Sequence, residues 1–266
     1  MDDDNAKIKI MELREIMKTI SDDIVSDEKQ GLPQPPLEKQ CGGIKLISLT
    51  KDFESVVKNN NYLDLLNSRT SKRKYTQEAL SKDELSFLLW ATQGVRQVVG
   101  KQKKATLRTV PSAGARHPFE TYLFINRVDE LEPGLYHYLA LEHELEFIRP
   151  VENQVDKLSE AFGGQTFFAN AAVCFVWTVI PYRSEWRYGK LAQKYALVDA
   201  GHICQNLYLA SEAIGCGSCA IGAYSQELVD GLLELDSSPS FENNSEFVIY
   251  AASVGKLEQL DSNIVH

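Results

Sequence analysis

One apolar run, AAVCFVWTVI at residues 171–180, constrains the fold more than any other stretch of this sequence. It contains no charged residue and is rich in β-branched and aromatic side chains, a composition typical of strands. Polar and apolar residues do not alternate along it, so neither face of the strand is expected to meet water. The run therefore predicts a central strand that is buried on both faces.

Other stretches predict further strands and several helices around this one. Ser81 and Glu84 form a capping box that begins a helix ending near Gly94, and a longer helix is predicted over residues 184–214. The Lys-rich stretch 95–108 is expected to be a flexible loop. Further strands are predicted at FETYLFIN, GLYHYLA, His143–Ile148, CAIGAY and EFVIYAASVG, with a short helix at Gln226–Leu233. Strands and helices that do not alternate regularly favour an α+β fold.

Charge and cysteine content exclude several classes of protein. The 266-residue chain has a net charge of -9, so we expect neither a nucleic-acid nor a membrane surface, since both need a cationic face. The amino-terminal sequence MDDDNAKIKI does not match a secretory signal, and we predict a cytoplasmic protein. Five cysteines, an odd number, do not resemble a secreted disulfide framework.

Composition divides the chain into two parts. Residues 1–43 are acidic and contain the Pro-rich stretch GLPQPPLEKQ, which is typical of an arm or linker that packs on the body or on a partner. Residues 44–266 contain the predicted strands and helices and form the predicted domain.

The stretch AIGCGSCAIGAYS contains a Cys-x-x-Cys pair, Cys216 and Cys219. A redox pair is usually found at the start of a helix, whereas this one follows a helix end, and a zinc site would need two more ligands nearby. Both possibilities stay open, but we favour small reduced side chains in a tightly packed turn and predict no metal site. The glycines at 215, 217 and 222 would let a flat ligand approach the backbone closely.

Four further patterns are candidates for binding or catalysis. Arg69, Ser71 and Arg73 alternate in NSRTSKRKY and could hold an anion together, although a solvated basic patch would look the same. The small residues Pro111, Ser112, Ala113 and Gly114 lead into a strand, either as a structural loop or as one that faces a ligand. Lys256 could reach a phosphate, and Asp199 and His202 could contact each other on one helix. An acid or base could be found among Tyr188, Lys190, Lys194 and Tyr195.

Six segments in this order resemble the nitroreductase-like flavoproteins, and among them the SagB-type dehydrogenase branch. They are SRTSKR, LSKDELSFLLWATQGV, RTVPSAGARHPFETYLFI, PGLYHY, DAGHICQNLYLASEAIGCGSCAIGAY and ASVGK, and the resemblance as a whole covers roughly residues 44–258. The resemblance implies an α+β fold with a mixed or antiparallel central sheet flanked by helices. It also implies an intertwined homodimer with FMN bound at the subunit interface.

The resemblance also implies roles for individual residues. Arg69, Ser71 and Arg73 would hold the FMN phosphate, ribityl chain and pyrimidine edge, with Lys256 assisting at the phosphate. Pro111, Ser112, Ala113 and Gly114 would come from the other subunit and face the isoalloxazine. Gly215, Gly217 and Ser218 would line the ring.

Members of the SagB-type branch oxidise azolines in peptides to thiazoles or oxazoles, and QKYALVDAGH places Lys194 and Tyr195 where that branch has a catalytic Lys-Tyr pair. The implied function is dehydrogenation of an azoline or a related small substrate by hydride transfer to flavin N5. One alternative is an NAD(P)H-dependent reductase of nitroaromatics or quinones. Another is a protein without catalytic activity that binds flavin or another anion.

Overall fold

The computed structural model describes residues 11–12, 14–15, 17–18, 25–40, 42, 45–102, 104–235 and 245–258. The strands are β1 (Lys45–Ser48), β2 (Val95–Val99), β3 (Ala105–Arg108), β4 (Phe119–Ile125), β5 (Gly134–Leu139), β6 (Glu144–Arg149), β7 (Val173–Val179), β8 (Cys216–Ile221) and β9 (Phe247–Lys256). The helices are α1 (Asp27–Gln30), α2 (Tyr62–Ser68), α3 (Lys82–Gln93), α4 (Gln154–Ala161), α5 (Thr166–Ala169), α6 (Tyr182–Tyr188), α7 (Ala192–Ala213) and α8 (Gln226–Leu232).

A seven-stranded sheet in the order β1-β6-β5-β4-β7-β9-β8 forms the centre of the fold. Every neighbouring pair in it is antiparallel, and β2 with β3 forms a separate two-stranded sheet. The predicted central strand is confirmed, because β7 lies between β4 and β9 and all its residues are buried.

The apolar core has two parts, one on each face of this sheet. Phe175 and Trp177 of β7 join a cluster that includes the buried faces of α3 and α7. Cys174 and Val176, the alternate residues of β7, join a cluster with α4, α5 and α8. Since successive side chains of a strand point to opposite faces, burial of all of them requires helices on both sides. The α+β prediction is confirmed.

The capping box predicted at the start of α3 is present. Ser81 Oγ accepts a hydrogen bond from Glu84 N at 3.1 Å, and Glu84 Oε2 accepts one from Ser81 N at 2.9 Å. The helix ends at Gln93, and Gly94 is its C-cap, with its N–H donating to Trp90 O. The local rules for helix ends therefore located this element correctly.

Two predictions about local structure are wrong. The helix expected over 184–214 is broken into α6 and α7 by a short 3₁₀ turn at Gly189–Leu191, where Gly189 has φ of 50°. The stretch 95–108 is a hairpin of β2 and β3 rather than a loop, because its β-branched residues pair across the turn. Within the described ranges, none of the helices is both long and apolar enough to cross a membrane.

Part of the acidic arm packs on the body. Trp186 Nε1 donates to Leu32 O at 3.0 Å, and Tyr182 donates its hydroxyl proton to Asp27 Oδ2 at 2.9 Å. Glu38 Oε1 accepts hydrogen bonds from the backbone N–H groups of Ala140 and Leu141. The Pro-rich stretch is therefore held against the sheet and α6, whereas the division at residues 43 and 44 stays a prediction.

Candidate functional site

The segment that contains the predicted anion-binding residues lies beside the edge strand β8. After α2 ends at Ser68, the chain becomes extended, and Lys72 N donates to Ser218 O at 2.9 Å. Ser71 and Ser218 form an isolated parallel bridge. The structure therefore brings Arg69, Ser71 and Arg73 together with Gly217 and Ser218, as sequence reasoning expected; we call these five residues the cradle.

The two guanidinium groups of the cradle rest on aromatic rings. Arg69 lies over the ring of Tyr208 at 5.3 Å from its centroid, and Arg73 lies over Phe167 at 5.8 Å. Neither forms an ion pair with a carboxylate among the residues that the structure describes. Ser71 is exposed, so a hydroxyl and two uncompensated cations are available to an anion.

Gly217 and Gly215, which lie at or beside β8, are explained by the packing and the backbone conformation of the chain itself. A Cβ at Gly217 would lie 2.7 Å from Lys72 Cβ and 2.6 Å from Leu257 Cδ2, so glycine lets these neighbours pack closely rather than leaving room for a ring. Gly215 has φ of 71° and follows the end of α7. The predicted turn after α7 is therefore corrected to a strand that begins at Cys216, whereas the flavin-lining role of Gly215, Gly217 and Ser218 stays a prediction. Ser218 Oγ is buried and has no hydrogen-bond partner among the described residues.

Lys256 pairs with a residue of the chain rather than projecting freely towards the cradle. Its Nζ contacts Glu84 Oε1, and its side chain is mostly buried. Glu84 also belongs to the capping box of α3, so one carboxylate serves both the helix start and this lysine. The backbone of Lys256 lies opposite Cys216. The predicted phosphate role of Lys256 would require this ion pair to be shared or broken.

Cys216 and Cys219 are buried, reduced and part of β8. Residues three apart in a strand point to opposite faces, so the two thiols do not face each other as in a redox pair. Burial raises the pKa of Cys216 to about 12 and also raises that of Cys219, which disfavours thiolate chemistry. In the described part of the chain, no group of three or more His, Cys, Asp or Glu residues could hold a metal ion.

The loop at Pro111–Gly114 is anchored to α7 by a buried carboxylate. Asp199 Oδ2 accepts a hydrogen bond from Ala113 N at 3.2 Å, and Ser112 also hydrogen-bonds to this carboxylate. Ser112 Oγ accepts from His117 N at 2.9 Å. Burial raises the pKa of the Asp199 carboxyl, against the lowering effect of these hydrogen bonds. His202 interacts with Asp199 only electrostatically, and the hydrogen bonds of this carboxylate go to the loop, which no sequence motif indicated.

The backbone of this loop is held in unusual conformations. Gly114, Ala115 and His117 have φ of 56°, 53° and 43°, which is the left-handed region. A non-glycine residue there costs of order 1–3 kcal/mol and persists only where surrounding contacts enforce it. Such strain is common at functional sites, and here the contacts of Ser112 and Ala113 maintain it.

Lys194 and Tyr195 lie in the first turn of α7, and Tyr195 approaches this loop through Tyr188. The ring of Tyr195 packs edge-on against that of Tyr188 at 4.8 Å, and the Tyr188 hydroxyl lies where a Cβ on Gly114 would be. Lys194 Nζ donates to Met17 O at 3.4 Å, so the amino-terminal arm reaches this lysine. We call these two residues and the Pro111–Gly114 loop the loop group.

Within one chain, the structure does not bring the cradle and the loop group together. The loop is fixed at Asp199, whereas the cradle contacts Tyr208. These positions are nine residues apart on α7, which corresponds to about 13 Å along a helix. Tyr208 was missed by sequence reasoning, because its place in the apolar face of a helix gives no sign of a polar role.

Comparison with known proteins identifies the family. A model of the nitroreductase family matches residues 66–256. A Methanocaldococcus jannaschii protein named as a nitroreductase is 31% identical over 66% of this chain and 85% of its own length. The trifolitoxin-processing protein TfxB of Rhizobium leguminosarum bv. trifolii is 30% identical over 54% of this chain, and the microcin B17-processing protein McbC of Escherichia coli is 26% identical over 48%. The chain matches only 39% and 49% of the lengths of these two processing proteins.

Solved structures show the same fold. A Ralstonia eutropha protein named as a nitroreductase superposes with a TM-score of 0.63 at 22% identity, covering 86% of this chain and 96% of its own. A chain of the Escherichia coli microcin synthetase McbBCD complex with truncated pro-MccB17 bound superposes with a TM-score of 0.56 at 18% identity, covering 95% of this chain and 92% of its own. By its sequence and its fold, this chain belongs to the nitroreductase family and is an oxidoreductase of that family.

Proposed function

We propose that this oxidoreductase uses FMN to dehydrogenate an azoline ring in a peptide, in the manner of the SagB-type branch. The observation that carries the proposal is the contact of Tyr195 with Tyr188, whose hydroxyl lies against Gly114 of the strained loop, with Lys194 as the preceding residue of α7. Two relatives whose names state that they process trifolitoxin and microcin B17 support a peptide substrate. The similarity to a synthetase chain solved with a truncated pro-peptide supports it further.

The cradle fits the phosphate of FMN. Two guanidiniums without a carboxylate partner in the described ranges, together with the exposed Ser71 hydroxyl, form a suitable site for a dianion. The buried Ser218 Oγ adds a polar atom whose hydrogen-bonding capacity is unused. FMN, when bound, supplies the hydride acceptor, and the protein supplies its placement and electrostatics.

A homodimer would complete the site. The cradle and the loop group lie apart along α7 in one chain, so a partner chain would have to supply the other group to the same ligand. Leu197 and Val198 on α7 are about half exposed, and Leu197 lines an apolar groove of about 260 Å³ with Phe247 and Ile249. Apolar side chains of this kind are suited to cover by a second copy.

The role of Lys194 and Tyr195 is to remove a proton from the substrate while the hydride leaves for the cofactor. A positioned lysine or tyrosine side chain can accept a proton in general acid–base catalysis. The contact between Lys194 and Met17 O shows that the arm lies next to this amine.

The test is turnover of an azoline-containing peptide by the FMN-loaded protein. We expect Lys194→Ala and Tyr195→Phe to lower kcat by about 10²- to 10⁴-fold, the usual contribution of general acid–base catalysis. The visible flavin spectrum should be unchanged. Lys157→Ala, which removes an exposed lysine on α4 away from the loop group, is the matched control and should retain full activity.

The alternatives give different results in the same preparation. Full activity of both variants would remove the assignment of the base. Rapid anaerobic bleaching of the flavin by NADPH, without azoline turnover, would favour an NAD(P)H-dependent reductase. A colourless protein that cannot be reconstituted with FMN would favour a protein without catalytic activity and contradict both enzymatic functions.

A further inference from the structure

Tyr208 of α7 connects three parts of the cradle region through one side chain. Its hydroxyl accepts a hydrogen bond from Ala220 N at 2.8 Å and lies 2.9 Å from Ser71 Oγ. The guanidinium of Arg69 lies over its ring. Tyr208 therefore contacts β8 and two of the three residues expected to hold an anion.

The hydrogen bonds of Tyr208 allow an arrangement in which Ser71 keeps its proton for a ligand, with the Cys219 thiol as a further hydrogen-bonding neighbour of both hydroxyls. The Tyr208 oxygen already accepts from Ala220 N–H, and a tyrosine hydroxyl has a single proton to donate. When that proton goes to Ser71 Oγ, the serine oxygen becomes the acceptor and keeps its own proton for another partner. Ser71 is exposed, so its proton can be donated to a bound anion.

The Arg69 guanidinium is positioned by the same residue. A long arginine side chain loses considerable rotational freedom when it binds an anion. Resting on the face of Tyr208 restricts it before binding and leaves the edge of the guanidinium free to donate. Tyr208 thus positions both the Ser71 hydroxyl and the Arg69 guanidinium before a ligand binds.

We propose that Tyr208 is a positioning residue for the phosphate end of the ligand, acting through Ser71 and Arg69. The inference rests on the proposed function, because it takes FMN as the ligand. Tyr208 itself needs no contact with the ligand. Its hydroxyl acts on the orientation of Ser71, and its ring acts on the placement of Arg69.

The test compares two flavins that differ only in the phosphate. Tyr208→Phe keeps the ring and loses the hydroxyl, so we expect the Kd for FMN, measured by flavin fluorescence, to rise about 5- to 10-fold, the value of one hydrogen bond between neutral groups. The Kd for riboflavin should change less than about twofold. An equal loss for both flavins, or no loss for FMN, would overturn the inference.

A double-mutant cycle tests whether Tyr208 acts through Ser71. Tyr208→Phe combined with Ser71→Ala should weaken FMN binding no more than the stronger single change, whereas fully additive losses would overturn the inference. Tyr136→Phe is the control, since its hydroxyl donates to Glu132 O elsewhere in the fold, and it should leave the Kd unchanged. Absence of FMN binding by the unmodified protein would overturn the proposed function and this inference together. Normal binding with an unaffected Tyr208→Phe variant would overturn only the inference.

Discussion

Asp199 is a carboxylate whose partners are main-chain and hydroxyl groups of a loop far from it in sequence. Only 4% of the residue is exposed, and its hydrogen bonds go to Ala113 N and Ser112. A buried hydrogen-bond acceptor or donor that is left without a partner costs free energy of folding, so both Asp199 and the groups that donate to it need each other. The strained conformations at Ala115 and His117 lie directly after the loop residues that this carboxylate holds.

We predict that Asp199→Ala lowers the free energy of unfolding by about 1–3 kcal/mol, because Ala113 N–H and the Ser112 hydroxyl lose a buried acceptor. Urea denaturation measures this change. Asp64→Ala removes an exposed carboxylate on α2 and should change stability by no more than about 0.5 kcal/mol. Equal effects of the two substitutions would show that the loop does not depend on Asp199.

At the scale of elements, a buried network of charges connects the arm to the sheet. Glu120 of β4 contacts His137 of β5 at 2.8 Å and Arg183 of α6 at 2.5 Å. His137 also lies 3.4 Å from Glu146 of β6. Lys39 N donates to Glu120 Oε1 at 2.7 Å, so the arm completes the network. Buried charges of this kind are tolerated only when each has partners.

The pKa shifts in this network have opposite signs for its acid and its base. Burial alone would lower the pKa of His137, but hydrogen bonds to Glu120 and Glu146 outweigh it and raise the pKa to about 9. Burial alone would raise the pKa of Glu120, but Arg183 and His137 lower it to about 2. The charged forms of both residues therefore stabilise the folded state.

We predict that stability falls between pH 6.5 and pH 9. The folded pKa of His137 lies above its unfolded value, so its contribution is fully present below about pH 6.5 and is lost as the pH rises through about 9. The loss amounts to roughly 2–3 kcal/mol from this group. Burial likewise raises the pKa of Glu38 to about 7, so its contribution is fully present below about pH 4.5 and is lost as the pH rises through about 7.

Urea unfolding at a series of pH values measures this effect, and His137→Gln is the matched variant. The variant should be less stable at pH 6.5 but lose less stability on going to pH 9. Parallel curves for the two proteins would contradict the role of His137. Below pH 4.5 the depressed pKa of Glu120 predicts a second loss of stability, as this carboxylate becomes protonated.

At the scale of the whole molecule, the sequence predicted those features that depend on neighbouring residues. The apolar run of β7 indicated burial on both faces, and the capping box indicated where α3 begins. The cradle was predicted from alternation in one short segment and from the resemblance. Its proximity to Gly217 and Ser218 is found in the structure, whereas its binding role stays a prediction.

Features that depend on distant residues could not be predicted from the sequence. Ala113 and Asp199 are 86 positions apart, and Glu84 and Lys256 are 172 apart. No local pattern shows that a carboxylate will anchor a loop or that a lysine will be held by an acid. The hairpin of β2 and β3 was missed for a related reason, since its Lys-rich turn resembles a disordered loop.

The distance between the cradle and the loop group along α7 has a consequence for mixed assemblies. In the proposed two-fold dimer, each ligand would take its cradle from one chain and its loop group from the other. We therefore predict intersubunit complementation.

Chains carrying Arg69→Ala and chains carrying Lys194→Ala should each be inactive alone, whereas a mixed dimer has one site with both groups intact. Turnover should recover to about half that of the unmodified dimer when the two chains are co-expressed with different tags and purified as a pair. Failure to recover would mean that a single chain supplies both groups.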